Sequence, residues 1–210
     1  MAQDNKLTSK ILLERLLSKY GVKKLANHLN LAVGTIHRWR ELDNIPPHYE
    51  FDLLRLSNLP IVVSQYNSSQ KDQFYTSLEN ARKCYFSFLA ISKISTNEYI
   101  FIEPSAGDGS FLNFLPSNTI AMDIEPRANH IITQDYLKWQ PHDMSKQYIV
   151  IGNPPFGLRG HMALNFINHS YDFADYVVFI LPQLFFSDGK GSPRKRVKGY
   201  NLIHSEKLSS

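Results

Sequence analysis

The sequence predicts an α/β fold, a doubly wound and mainly parallel sheet, preceded by a small all-α domain. Three observations carry this. Short apolar runs at residues 99–102, 119–122, 130–133, 148–151 and 176–181 each end in a loop of glycine, proline or polar residues. Such uninterrupted runs are how strands read when both faces of a parallel sheet are covered. Residues 8–40, by contrast, repeat their apolar positions at the helical period. Between the two regions, residues 60–72 lose periodicity and turn polar, as a linker does. The expected organisation is therefore an all-α domain at 1–60, a linker at 61–71, the α/β domain at 72–186 and a basic flexible tail at 187–210.

Composition narrows the classes. A chain of 210 residues can bury a real core. Its longest apolar runs are far too short to cross a bilayer, and the first residues hold no apolar signal core, so neither a membrane nor export is expected. The single cysteine, Cys84, excludes an internal disulfide and fits a reducing compartment, which makes the cytoplasm the expected location. No His/Cys cluster has metal-ligand spacing, so no metal is expected. Residues 1–60 carry nine Lys/Arg against six Asp/Glu, residues 186–210 six against two, and residues 61–185 eight against eleven. Positive ends around a mildly acidic centre suit a nucleic-acid binder with a catalytic body, although solvated surface charge gives the same count.

Residues 8–19 read as a helix with Ile11, Leu12, Leu16 and Leu17 on its apolar stripe and Thr8 or Ser9 as N-cap, ended by Tyr20-Gly21. The stretch from Val22 to Arg40 resembles the helix-turn-helix of phage-type repressors. In that reading Ala26 sits where two helices approach closely, Leu25, Leu29 and Leu31 fill the angle, and Ile36 and Trp39 plug the second helix into the core. Asn30 stands at the turn, where it tolerates the left-handed conformation usually given to glycine. The second helix would present Thr35, His37, Arg38 and Arg40 to a major groove and its phosphates. Units of this pattern also serve as protein contacts or as plain packing. Pro46-Pro47 breaks the chain, and a further short helix over 48–56 closes the domain.

In the α/β region a helix is expected over 78–91, capped by Thr76 or Ser77. The strand at 99–102 runs into Glu103-Pro104-Ser105-Ala106-Gly107-Asp108-Gly109, a turn whose small residues let backbone and helix amides approach a ligand. The second strand ends in Asp123-Ile124-Glu125. A carboxylate there, roughly 20 residues after the glycine turn, occupies the position that accepts hydrogen bonds from a ribose diol. The third strand ends in Gln134-Asp135-Tyr136. The fourth ends in Gly152-Asn153-Pro154-Pro155-Phe156, and a helix over 161–173 leads to the fifth strand. Two prolines remove donors and lock φ, so this turn makes little sense as packing. It makes good sense as a rigid clamp for a flat ring bearing an exocyclic amine.

Four pieces, Asp72-Gln73-Phe74-Tyr75-Thr76, Glu103 to Gly109, Asp123-Ile124-Glu125 and Asn153 to Phe156, stand in one order and spacing. With Leu181-Pro182-Gln183-Leu184-Phe185-Phe186 they make residues 72–205 resemble the class I, Rossmann-like, S-adenosylmethionine-dependent amino-methyltransferases of DNA. The resemblance is to the subgroup with the cofactor loop before the catalytic loop. It implies S-adenosylmethionine as cofactor and no metal. Phe74, Tyr75 and Thr76 would lie over its methionine end, and Glu103, Ser105, Ala106 and Gly107 would line the turn around that moiety. Asp123 would bind the ribose hydroxyls with Ile124 against the adenine; Asp135 would accept from the cofactor's adenine amine with Tyr136 beside the ring. Asn153 Oδ1 and the Pro154 carbonyl would accept the two N–H groups of a target amine, freeing its lone pair for in-line attack, while Pro155 stiffens the turn and Phe156 stacks on a base swung out of the duplex.

The activity so implied is adenine-N6 methylation of DNA in a restriction–modification or phage setting, with a cognate endonuclease or a separate specificity subunit as a further partner. Arg194, Lys195 and Arg196 of the tail would neutralise phosphates. Related loops also serve cytosine N4, RNA adenine and protein glutamine, and a DNA-binding regulator with an inactive methyltransferase body is a third reading. Members of the family carry a further strand pair, and only five of the usual seven strands are accounted for, so the resemblance also implies a C-terminally truncated chain.

Overall fold

The computed structural model describes residues 8–29, 31–57, 59, 76–189 and 191–208. The chain divides into two compact units, Met1–Lys71 and Asp72–Ser210. Asn30, the expected linker at 61–71, Phe74 and Tyr75 lie outside the described residues.

The described part of the first unit is all-α: α1 (Ser9–His28), α2 (Val33–Glu41) and α3 (Glu50–Leu56), with a 3-10 turn at Pro47–Tyr49 before the last. Thr8 caps α1, its hydroxyl accepting the Ile11 N–H at 3.5 Å. Gly21 breaks the regular geometry of α1 at φ 72, ψ 159, a conformation that carries little penalty only for glycine. Leu12, Leu13, Leu16, Leu25, Ala26, Leu29, Ile36, Trp39, Tyr49 and Leu53 form one buried core. The expected stripe is corrected in one place. Ile11 is 45% exposed and Leu13 is buried in its stead, because α1 turns its 12/13/16 face inward. Trp39 packs its ring on Tyr49, with centroids 4.6 Å apart.

In the second unit, α4 (Leu78–Ser92) starts at Ser77, whose hydroxyl accepts the Asn80 N–H at 3.2 Å. β1 (Tyr99–Glu103), β2 (Ile120–Asp123), β3 (Ile132–Thr133), β4 (Gln147–Gly152) and β5 (Tyr176–Phe179) follow, with α5 (His161–Ser170) between the last two. They form one sheet in the order β3-β2-β1-β4-β5, and every pairing is parallel. Alternate residues face opposite layers, as the strand period requires. Phe101, Ile149 and Ile151 pack with Ala81 and Tyr85 of α4. Ile102, Tyr148 and Val150 pack with Met162 and Phe166 of α5. Both faces of the central strands are therefore dry, which explains their uninterrupted apolar sequence.

Three expectations are corrected. No α-helix follows the glycine turn; a 3-10 turn at Phe111–Asn113 takes its place, since Pro116 leaves too few residues for a helix after Gly109. The helix expected over 161–173 ends at Ser170. The tail expected to be free is docked. Pro193–Arg196 form a 3-10 turn capped by Ser192, the Lys198 N–H donates to Asn168 Oδ1 at 2.9 Å, and the Tyr200 hydroxyl donates to the Ala174 carbonyl at 2.7 Å. Farther on, Lys83 of α4 pairs with Glu206 at 3.1 Å. The cause is apolar, because Val197 and Tyr200 pack against Ala163, Leu164, Ile167 and Phe185. Among the described residues no helix is long and apolar enough to cross a membrane.

Candidate functional site

In the order β3-β2-β1-β4-β5 the chain winds outward in two directions from β1 and β4. The crevice beyond the carboxyl ends of such a pair is where open parallel sheets take their ligands. Here β1 delivers Glu103 to Gly109 to that crevice, and β4 delivers Gly152 to Phe156. One hydrogen bond ties the two turns together, from the Ser105 hydroxyl to the Asn153 carbonyl at 3.0 Å.

Glu103, the last residue of β1, is 2% exposed. Its Oε2 has no hydrogen-bond partner among the described residues. Burial, ahead of the nearby charges of Asp108 and Asp123, pushes its carboxyl up to about 9. Asp108 folds back on its own turn, taking the Ser110 N–H at 3.1 Å and the Ser110 hydroxyl at 2.7 Å.

Asp123 is the clasp of the β1 and β2 turns. Its Oδ2 accepts the Gly107 N–H at 2.8 Å and its Oδ1 the Glu125 N–H at 2.8 Å. Each carboxylate oxygen can accept a second donor, so both retain capacity toward the crevice. The Ala106 N–H donates to the Met122 carbonyl at 2.9 Å, and the Ala106 side chain is buried with Ala121 and Ile131. The end of β3 is fastened to the same place, the Gln134 N–H donating to the Asp123 carbonyl at 2.9 Å. Asp135 accepts the Leu137 N–H at 3.1 Å and lies 3.9 Å from the Lys138 ammonium. Ile124 and Thr76 are half-buried.

Tyr136 does not belong to this site. It is 1% exposed, its hydroxyl is hydrogen-bonded to the Ser170 hydroxyl at 2.7 Å, and its ring lies among Trp139, Phe166, His169 and Phe173. A ring sealed in this way is core and cannot lie beside a ligand's adenine, so the sequence expectation for it is withdrawn.

The Asn153–Phe156 turn has a buried member, Pro154, while Asn153, Pro155 and Phe156 are half-buried. The Phe156 carbonyl accepts the Met162 N–H at 3.1 Å and the Ala163 N–H at 3.4 Å, which pins the turn to the start of α5. The Phe156 ring packs against the cluster of Ala163, Leu164, Ile167 and Phe185. Two residues of this arrangement were missed in the sequence. Gly157, at φ +66, leaves room for the buried imidazole of His161 and for Met162. The legible signal was a glycine directly after the aromatic residue, with a histidine four positions on.

The basic candidates fall in separate places. Arg194 is half-buried, whereas Lys195 and Arg196 are exposed on the docked tail. In the first unit His37, Arg38 and Arg40 are exposed on α2 and Thr35 is half-buried. Arg40 is engaged by Glu14 of α1, at 2.9 and 3.4 Å. Among the described residues no group of three or more His, Cys, Asp or Glu side chains is arranged to hold a metal ion. No protein-family model, curated protein or solved structure matches the chain.

Proposed function

We propose that the chain is an S-adenosylmethionine-dependent amino-methyltransferase acting on adenine N6 in DNA. The observation that carries this reading is the Ser105–Asn153 hydrogen bond. It joins an acidic, glycine-rich turn to an Asn-Pro-Pro-Phe turn at the switch point of an all-parallel sheet.

The residues present fit the cofactor. Glu103 offers a buried carboxyl oxygen with no partner among the described residues, close to Asp108 and Asp123, and a positively charged sulfonium or ammonium suits such a place. When bound, S-adenosylmethionine supplies an electrophilic methyl group. Asp123 would accept from the ribose hydroxyls, Ile124 would pack on the adenine, Asp135 would accept from the cofactor's adenine amine, and Thr76, Ser105 and Gly107 would line the methionine end. Asn153 Oδ1 and the Pro154 carbonyl accept the two N–H groups of the target amine. That alignment frees the nitrogen lone pair, and the excess proton leaves to solvent after transfer, so no strong general base is required. Phe156 stacks on the extruded base.

For the first unit we propose a helix-turn-helix role toward duplex DNA. Support comes from the burial of Leu25, Ala26, Leu29, Ile36 and Trp39 in one core with His37, Arg38 and Arg40 left exposed. The test is transfer of a tritiated methyl group by the purified chain to DNA, RNA and protein acceptors. Labelled N6-methyladenine in DNA, lost in Asn153→Ala, supports the reading. Label in RNA or in protein glutamine changes the acceptor, and no label in any acceptor together with no cofactor binding overturns the function.

A further inference from the structure

We infer that Glu103 is a proton-exchanging counter-ion: a neutral acid in the ligand-free protein that gives its proton to solvent when a ligand carrying positive charge settles against it. The inference deepens the donor site proposed above and rests on that reading. Its ground is placement. Glu103 ends β1 at the crevice, is 2% exposed, and its Oε2 finds no N–H or O–H among the described residues. A carboxylate held there would leave Oε2 without water and without a donor, which disfavours the charged form. The titratable groups that face it are Asp108, from the turn after β1, and Asp123, from the end of β2. From β4, Gly152 lies against it, where a Cβ would sit 3.5 Å from Glu103 Cγ and 3.5 Å from Pro104 Cδ.

Backbone amides serve Asp123 and Asp108, and none of those donors is directed at Glu103. Two carboxylates and burial therefore favour the uncharged form, and the carboxyl lies at about 9. A sulfonium or ammonium entering the crevice supplies the opposite charge that the protein withholds. The O–H bond of Glu103 then breaks, its electron pair stays on the carboxylate, and the proton passes to solvent. Ligand charge and proton are exchanged, so affinity for a cationic ligand rises about tenfold per pH unit while the acid remains neutral in the free protein.

The experiment has two arms. In the first, the side-chain carboxyl of Glu103 is followed by carbon NMR in glutamate-labelled protein, assigned with Glu103→Gln. A resonance that is still a neutral acid at pH 7 is expected, and titration complete by pH 6 overturns the inference. In the second, calorimetric titration with S-adenosylmethionine and with S-adenosylhomocysteine is run in buffers of different ionisation enthalpy at pH 7.5. Release close to one proton is expected with S-adenosylmethionine. S-adenosylhomocysteine, which keeps the ammonium and lacks the sulfonium, releases as much if the ammonium is the partner and less if the sulfonium is. In either case the release vanishes in Glu103→Gln. Binding of both without proton release overturns the inference alone. Failure of either ligand to bind overturns the donor site with it.

Discussion

A Cβ placed on Gly157 would lie 2.5 Å from both Cε1 and Nδ1 of His161 and 2.7 Å from Met162 Cγ. The glycine backbone thus leaves no room for a side chain beside an imidazole that is itself buried. Because the next residue back, Phe156, gives its carbonyl to the first amides of α5, this contact sets how far the Asn153–Phe156 turn stands off the helix.

Gly157→Ala should accordingly be costly twice over. A side chain at φ +66 costs about 1–2 kcal/mol, and overpacking adds about 1–3 kcal/mol. A lower melting temperature and a larger loss in methyl transfer than in cofactor affinity are expected. The double variant Gly157→Ala/His161→Ala removes the ring that clashes and should recover part of the rate. A double-mutant cycle on kcat and on melting temperature checks it, and simple additivity would show that the contact is not the cause.

Asn153→Ala should abolish transfer with little change in stability, whereas Phe156→Tyr, which keeps the ring, should retain much of it. Asp123→Ala should also abolish transfer, but through structure as well. Its carboxylate holds the half-buried Gly107 and Glu125 amides, and each lost hydrogen bond costs about 0.5–1.5 kcal/mol. Thermal melts alongside cofactor titration separate the two variants: Asn153→Ala binds ligand normally, and Asp123→Ala melts early.

Glu103 makes stability depend on pH in a stated direction. Its carboxyl lies at about 9 in the folded chain against an ordinary 4.5, so the native state binds the proton more tightly than the unfolded state. The contribution is fully present below about 4.5 and is lost as pH rises toward about 9. Melting temperature should therefore fall between pH 6 and pH 9 in the wild type. Glu103→Gln, a neutral group at every pH, should flatten that fall and raise the melting temperature at pH 9. Parallel melts of the two proteins across this range check it.

The legible parts of the sequence were those decided by local pattern. β1 and β4 are dry on both faces, so Phe101, Ile102, Ile149 and Val150 announced themselves as a continuous apolar run. The break at Gly21 was readable for the same reason, since one residue type meets the backbone demand. What failed was decided at a distance. Tyr136 looked like a ligand-side ring because it follows a strand, yet its neighbours Phe166, His169 and Phe173 come from a helix and loop far along the chain. The tail looked mobile because its charges outnumber its apolar residues, but Val197 and Tyr200 pack it onto a buried cluster and hydrogen bonds to Asn168 and Ala174 fasten it. Glu103 was legible as an acidic residue at a strand end, and its burial was not.

Removal of Tyr136 from the proposed cofactor set has a consequence that separates core from site. Tyr136→Phe deletes only the hydroxyl bonded to Ser170 at 2.7 Å, a group whose net worth is about 1 kcal/mol. Ser170 keeps its own bond to the Phe166 carbonyl at 2.9 Å, so it is not stranded by the change. The variant should melt slightly lower and bind S-adenosylmethionine as the wild type does. Tyr136→Ala instead opens a cavity beneath Phe166 and Phe173 and should cost about 3–5 kcal/mol, enough to unfold much of the second unit. Calorimetric affinity measured on Tyr136→Phe is the deciding observation: an unchanged Kd assigns the ring to the core, and a tenfold loss returns it to the ligand.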